Sequence, residues 1–155
     1  MLRLTRRTEY SLIALRHMAQ QAPGGLSTAA DLAERYDLPR ELLAKVLQHM
    51  ARLGYLEPVQ GPKGGYQLKK QLAEISMMDF LTAMEGSVAL VACVDKGECA
   101  IFNACIIKSP LLQLNEKMRH FLESVSVADI TGEGQIAAES LITHQQSQPP
   151  ETINK

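Results

Sequence analysis

Two short stretches of helical spacing, separated by a turn and followed by a glycine-rich hairpin, constrain this chain more than any other feature. Ser27 is placed to cap a short helix that buries Leu32, Ala33 and Tyr36, because a hydroxyl ahead of an apolar-periodic run accepts the free N–H groups of a first turn. Asp37-Leu38 supplies a tight turn. Pro39 suits the first position of the next helix, where its missing N–H has no partner to lose. That helix turns Leu43, Val46, Leu47, Met50 and Leu53 inward and stops at Gly54. Tyr55-Leu56-Glu57-Pro58-Val59-Gln60 reads as a short strand confined to an edge by its proline. Gly61-Pro62-Lys63-Gly64-Gly65 is a turn, and Tyr66-Gln67-Leu68 begins the returning strand. Helix, turn, helix, hairpin is the order of a winged helix.

The flanking segments read as further helices. Thr8 can cap a first helix with Tyr10, Ile13, Ala14, His17 and Met18 at helical spacing, ended by Ala22-Pro23-Gly24-Gly25. Ser76, with Asp79 three residues on, starts a fourth helix whose apolar positions are Met77, Phe80, Leu81 and Met84, and Glu85-Gly86 ends it. Residues 87–109 have little helical period and hold every cysteine. From Pro110, the residues Leu111, Leu114, Met118, Phe121 and Val125 recur at alternating steps of three and four, the period of about 3.5 that marks a coiled-coil seam. About two heptads are marginal alone, so the segment is expected to be a dimerisation helix packed beside the winged domain, the alternative being an intrachain core helix. Ser126, with Asp129, caps one more short turn, and residues 132–155, rich in Gly, Gln and Pro, read as a weakly ordered tail.

The expected fold is therefore mainly α with a small β-hairpin, a winged helix-turn-helix domain plus a long dimerisation helix. Its divisions are 1–86 for the DNA-binding domain, 87–109 for the cysteine loop, 110–131 for the dimerisation helix and 132–155 for the tail.

With 155 residues, 46% of them hydrophobic, the chain can bury its own core. No apolar run approaches the ~18–20 residues that cross a bilayer. Glu9 and Arg16 interrupt the apolar stretch a signal peptide requires, so a cytoplasmic protein without membrane attachment is expected. Three cysteines, an odd number, argue against a disulfide scaffold. The net charge of −1 hides an asymmetry: residues 1–70 carry 11 Lys and Arg against six acids, while the remainder carries five against 11. A basic half joined to an acidic half suggests a polyanion-binding module coupled to a part with another task.

Cys93, Cys99 and Cys105 form C-x5-C-x5-C within 13 residues. Thiolates gathered on one cytoplasmic loop favour a soft metal or an iron–sulfur cluster. Structural zinc is the first competitor, but it favours four ligands in C-x2–4-C pairs, and here the steps are longer and a fourth ligand is missing. The spacing favours a loop around a larger object, with Gly97 allowing the turn and Ile101, Phe102, Ile106 and Ile107 shielding the cluster from water. There is no Gly-x-Ser-x-Gly, P-loop or dinucleotide fingerprint, so no enzyme is expected. His17, His49, His120 and His144 are dispersed, and the methionines read as core filler.

Met1-Leu2-Arg3-Leu4-Thr5, the helix-turn-helix, Gly64-Gly65-Tyr66 in the wing and the three-cysteine loop resemble the IscR/NsrR-type family of bacterial iron–sulfur repressors over about residues 1–130. The resemblance implies a homodimer on pseudo-palindromic, double-stranded promoter DNA. It also implies a cluster, 2Fe–2S or 4Fe–4S, that reports iron–sulfur supply, redox state or nitric oxide, and it assigns Cys93, Cys99 and Cys105 as ligands. Three departures matter. Members similar to IscR place a histidine three residues after the third cysteine, where this chain has Lys108, and a protonated ammonium has no lone pair to give. Other members use an acidic residue near the start of the first helix, often from the partner subunit, and Glu9 occupies that position. Its alternative role is to stabilise the helix N-terminus. Many members begin the wing with Arg-Gly, whereas this chain has Gln60-Gly61, for which Lys63 is a partial substitute.

The resulting expectation is a homodimeric winged-helix transcription regulator, a repressor, of iron–sulfur assembly, redox or nitrosative-stress genes, with a 2Fe–2S cluster favoured over 4Fe–4S. The recognition helix, 39–53, presents Arg40, Glu41, Ala44, Lys45, Gln48 and Arg52. Gln48 suits adenine, Arg40 or Lys45 guanine, and Glu41 cytosine N4. Arg6, Arg7 and Lys63 would hold phosphates. Forming or losing the cluster would reorder residues 87–109 and change the spacing of the two recognition helices. The rival readings are a zinc-stabilised regulator without sensing chemistry and a cluster-carrying redox protein.

Overall fold

Local capping chemistry sets most helix boundaries in the structure, a computed structural model that describes residues 4–91 and 100–132. The order is α1 (Arg6–Ala19), α2 (Ala29–Tyr36), α3 (Arg40–Arg52), β1 (Leu56–Val59), β2 (Gly65–Leu68), a 3-10 turn at Leu72–Glu74, α4 (Met77–Glu85), α5 (Lys108–Ser124) and α6 (Val127–Thr131). This is a winged helix-turn-helix with a long helix beside it. No helix among the described residues is long and apolar enough to cross a membrane.

Two expected caps move. Thr5, not Thr8, caps α1, accepting the Thr8 backbone N–H at 3.4 Å. Thr8 is fully buried, its hydroxyl donating to the Glu85 carboxylate of α4, a partner that local sequence cannot reveal. Thr28, not Ser27, caps α2 through a capping box with Asp31. Ser27 instead exchanges both backbone hydrogen bonds with Tyr66, each 2.9 Å, and so lays a further backbone segment against β2. The inward face of α1 is also rotated, with Leu15 fully buried and Ile13 only half-buried.

The helix-turn-helix follows its sequence closely. Asp37 closes α2 in the left-handed region at φ 52, and Pro39 sits at the N-cap of α3. Leu43, Val46, Leu47 and Met50 are buried as expected, Leu53 is half-buried at the helix end, and Tyr36 stays 36% exposed at the rim. Gly54 ends α3 at φ +77, a conformation that disfavours a side chain. β1 and β2 pair antiparallel with Leu56 opposite Leu68 and Val59 opposite Gly65. The hairpin turn needs Gly64, because a Cβ there would lie 2.2 Å from the Val59 carbonyl oxygen.

One core serves all of these elements, with Leu15, Leu32, Leu43, Leu47, Met50 and Phe80 at its centre. Burying each such side chain contributes about 1.5–3 kcal/mol before conformational entropy opposes it. The chain re-enters this core after α5. Met77 N–H donates to the Val125 carbonyl at 2.7 Å and Val127 N–H to the Ile75 carbonyl at 2.8 Å, so α6 packs onto α1. Val125 is thereby a buried, extended core residue past the end of α5, and the apolar seam of that helix stops at Phe121. α5 begins at Lys108, with Pro110 in its first turn, where proline loses no hydrogen bond. Cys93 and Cys99 and the tail beyond Gly132 lie outside the described residues.

Candidate nucleic-acid interface and cysteine loop

The amphipathic pattern of α3 decides what it can offer a ligand. Its apolar side is consumed by packing against α1 and α2, which leaves Arg40, Glu41, Lys45, Gln48 and Arg52 exposed along the other side, with Ala44 half-buried between them. Among the described residues, the ion pairs involve Arg6, Arg119 and His120 only. Arg40, Lys45 and Arg52 therefore keep unneutralised charge and free donors on one helical face. Lys63 is exposed at the hairpin tip. Lys69 and Lys70 add exposed charge just past β2, with the Lys70 ammonium 5.1 Å from the Tyr55 ring centroid. The adjacent lysine pair was the sequence signal for these two, and the expected contact set omitted them.

At the start of α1 the two expected phosphate contacts part company. Arg7 is exposed, whereas the Arg6 guanidinium is 2.9 Å from the Glu9 carboxylate. Behind them, Glu85 at the end of α4 accepts the Thr5 N–H at 3.0 Å, the Thr5 hydroxyl at 2.7 Å and the Thr8 hydroxyl. Burial alone would raise the Glu85 pKa. The Thr8 and Thr5 hydrogen bonds and the Arg7 charge outweigh it and hold the carboxyl below its ordinary value. An open groove of ≈ 530 Å³ runs between these elements, lined by Arg6, Arg7, Leu42, His49, Met84 and Glu85 among others. His49 Nε2 is buried without a hydrogen-bond partner among the described residues.

Of the three cysteines, Cys105 is described: it is half-buried just ahead of α5, its carbonyl accepting the Lys108 N–H at 3.4 Å. The Lys108 ammonium lies 3.4 Å from the centroid of the Phe102 ring, held by the negative face of the aromatic as a cation. Ile101, Ile106 and Ile107, expected to shield a cluster, are all exposed in the single chain, Ile106 at 96%. Leu112 and Leu114 are exposed on α5 as well, though two residues apart they lie on different sides of the helix. Among the described residues no three His, Cys, Asp or Glu side chains converge on a metal position, and Glu9 makes its side-chain contact with Arg6. The donor set nevertheless fits an iron–sulfur cluster chemically, since three thiols in one short run supply soft ligands and Cys105 is neither deeply buried nor disulfide-bonded.

Comparison with known proteins gives one family match, described as "Rrf2: Iron-dependent Transcriptional regulator", over residues 4–133. The chain is 26% identical over 144 residues to the "HTH-type transcriptional regulator IscR" of Klebsiella pneumoniae (strain 342), covering 93% of this chain and 88% of that one. Among solved structures, CymR (YrzC), the global cysteine regulator of B. subtilis, superposes with a TM-score of 0.68 at 19% identity, covering 84% of this chain and 97% of that one. T. potens IscR superposes with a TM-score of 0.61 at 21% identity, over 96% and 94%.

Proposed function

The chain belongs to the Rrf2 family of iron-dependent transcriptional regulators, and on that premise we propose that it is a cytoplasmic, homodimeric repressor whose affinity for promoter DNA is set by an iron–sulfur cluster. Its relatives are regulators and not enzymes. The observation that carries the DNA-binding half of the reading is the exposed, unneutralised face of α3, with Arg40, Lys45 and Gln48 aligned to reach base edges and Glu41 beside them. Arg7, Lys63 and, once released from Glu9, Arg6 supply the phosphate contacts that fix register.

The exposed side chains of Ile106, Ile107 and Leu114 support a second copy packing at the start of α5, since apolar side chains so exposed suit an interface better than solvent. Cys93, Cys99 and Cys105 would hold the cluster, with Glu9 of the partner subunit closing the fourth position. Bound there, the cluster would supply redox-responsive ligation at the junction between the winged domain and α5. Lys108 stays out of this set, because its ammonium is engaged by Phe102.

The deciding experiment is an absorption spectrum with iron and sulfide assay on anaerobically purified protein, followed by operator binding with and without the cluster. A brown protein that loses colour and iron in each of Cys93→Ala, Cys99→Ala and Cys105→Ala supports the reading. A colourless, zinc-loaded protein favours the zinc-stabilised regulator, and a brown protein with no sequence-specific DNA binding favours the redox carrier.

A further inference from the structure

Glu85 is the last residue of α4, yet its three hydrogen-bond donors among the described residues all belong to the start of α1. A carboxylate beside a helix N-terminus meets both its unsatisfied N–H groups and the positive end of the helix dipole, so this contact fixes where α1 begins. Five residues beyond Glu85, the Leu90 N–H donates to Asn115 Oδ1 at 2.9 Å. Asn115 is 7% exposed and is the one buried residue of α5 among the described residues. A buried amide in an otherwise half-exposed helix is costly to strand, so its bond to the Leu90 backbone is held firmly.

The segment Gly86–Leu90 is thus tied at one end to the DNA-facing start of α1 and at the other to the middle of α5. In the sequence it ends three residues before Cys93, the first cysteine of the run. α1 in turn packs on α3, whose outer side is the candidate base-reading face. We infer that Glu85 and Asn115 are paired positioning residues, through which the state of the cysteine run and of α5 is passed to the first turn of α1 and so to α3.

This inference rests on the proposed regulator reading, but the two ties exist without a cluster and can be tested without one. Glu85 is a carboxylate taken up by Thr5 and Thr8 and Asn115 is buried, so neither offers a free donor to a phosphate. Their role is to hold Thr5, Arg6, Arg7 and Thr8 in one arrangement relative to α5. Two elements coupled in this way should respond non-additively when both ties are cut, whereas two independent stabilising contacts should add.

The experiment is amide hydrogen exchange on the full, cluster-free chain, reading residues 5–9, for wild type, Asn115→Ala, Glu85→Ala and the double variant. Cutting the distant Asn115 tie is expected to lower protection of the α1 first turn several-fold in the wild-type background and to add nothing once Glu85 is gone. Thr8→Val, which leaves Thr5 bonded to Glu85, serves where Glu85→Ala fails to fold. Glu85→Gln, which keeps an acceptor oxygen, should restore part of the coupling. In cluster-loaded protein the second readout is the affinity ratio between loaded and cluster-free forms for a duplex selected by the wild type from a random pool. That ratio should fall toward one in Asn115→Ala while iron content per chain is unchanged. Strictly additive exchange effects, or an unaltered affinity ratio, would overturn the inference. A wild type without iron would instead refute the proposed function and leave the exchange cycle to judge the ties.

Discussion

The Arg6 guanidinium and the Glu9 carboxylate stand 2.9 Å apart in the first turn of α1, so the residue expected to grip phosphate is neutralised by the residue expected to ligate the cluster. Both are substantially exposed, and such a pair contributes little to stability. Its importance is that each partner is available to something else only when the other lets go.

That exclusivity makes Glu9→Ala informative on two counts. Freed from Glu9, Arg6 should strengthen binding to random-sequence duplex DNA and steepen the log–log salt dependence by about one phosphate contact. In cluster-loaded protein the same variant should shift the visible spectrum and shorten cluster lifetime. Unchanged salt slope, spectrum and lifetime together would leave Glu9 as a helix-end charge worth ~0.3–1 kcal/mol.

Substitutions on α3 should separate base reading from phosphate contact. Lys45→Ala and Gln48→Ala are each expected to cost about 1–3 kcal/mol on the cognate site and much less on random DNA. Lys63→Ala, at the hairpin tip, should weaken both equally and lower the salt slope by about one. Fluorescence anisotropy titrations at several salt concentrations read all three. Equal losses on both DNAs for Lys45→Ala would reassign that lysine to the backbone.

Leu47 is fully buried on the inner side of α3, at the centre of the core that holds the recognition helix in place. Leu47→Ala should therefore lose about 2–5 kcal/mol through lost transfer energy and a residual cavity. In urea unfolding this appears as a lower midpoint at unchanged slope. A loss below ~1 kcal/mol would mean that the neighbouring helices collapse into the space.

His17 should give the fold a pH dependence near neutrality. Gln21 Nε2 lies 2.9 Å from His17 Nε2, and the Ser27 hydroxyl on Gln21 Oε1 orients that amide as a donor, so Nδ1–H is left to donate to the Tyr36 hydroxyl at 3.0 Å. Burial first, then the Arg35 charge, lowers the His17 pKa below 6.5, against an opposing pull from Asp31. The unfolded chain then takes up a proton at higher pH than the folded one. This contribution is complete above the ordinary histidine value and is lost as pH falls through it toward the folded value. Thermal melts between about pH 7.5 and 5.5 should show a steeper fall for wild type than for His17→Gln. Parallel profiles would show that His17 takes up its proton equally in the folded and unfolded chain.

What the sequence by itself determined is the part of the molecule governed by neighbours within a turn or two. Pro39, Gly54 and the glycine-rich turn of the hairpin bracket α3 and the wing, and the 3.6-residue period assigns Leu43, Val46, Leu47 and Met50 to the inside. These signals are local, and the structure keeps them. The exposed face of α3 was legible for the same reason, as the complement of a strong apolar stripe. Tertiary structure decided the rest wherever two partners of comparable local merit competed. Thr5 and Thr8 are both plausible caps, and Glu85, 77 residues away from Thr8, settles which hydroxyl is taken into the interior. Ser27 and Thr28 are likewise equivalent by propensity, until Tyr66 claims the Ser27 backbone and leaves the cap to its neighbour. Val125 continues a heptad on paper, but its carbonyl accepts from Met77 and draws it out of the helix and into the core. A hydrogen bond or a buried contact across tens of residues leaves no periodic trace in the chain, so only the folded packing could choose among these alternatives.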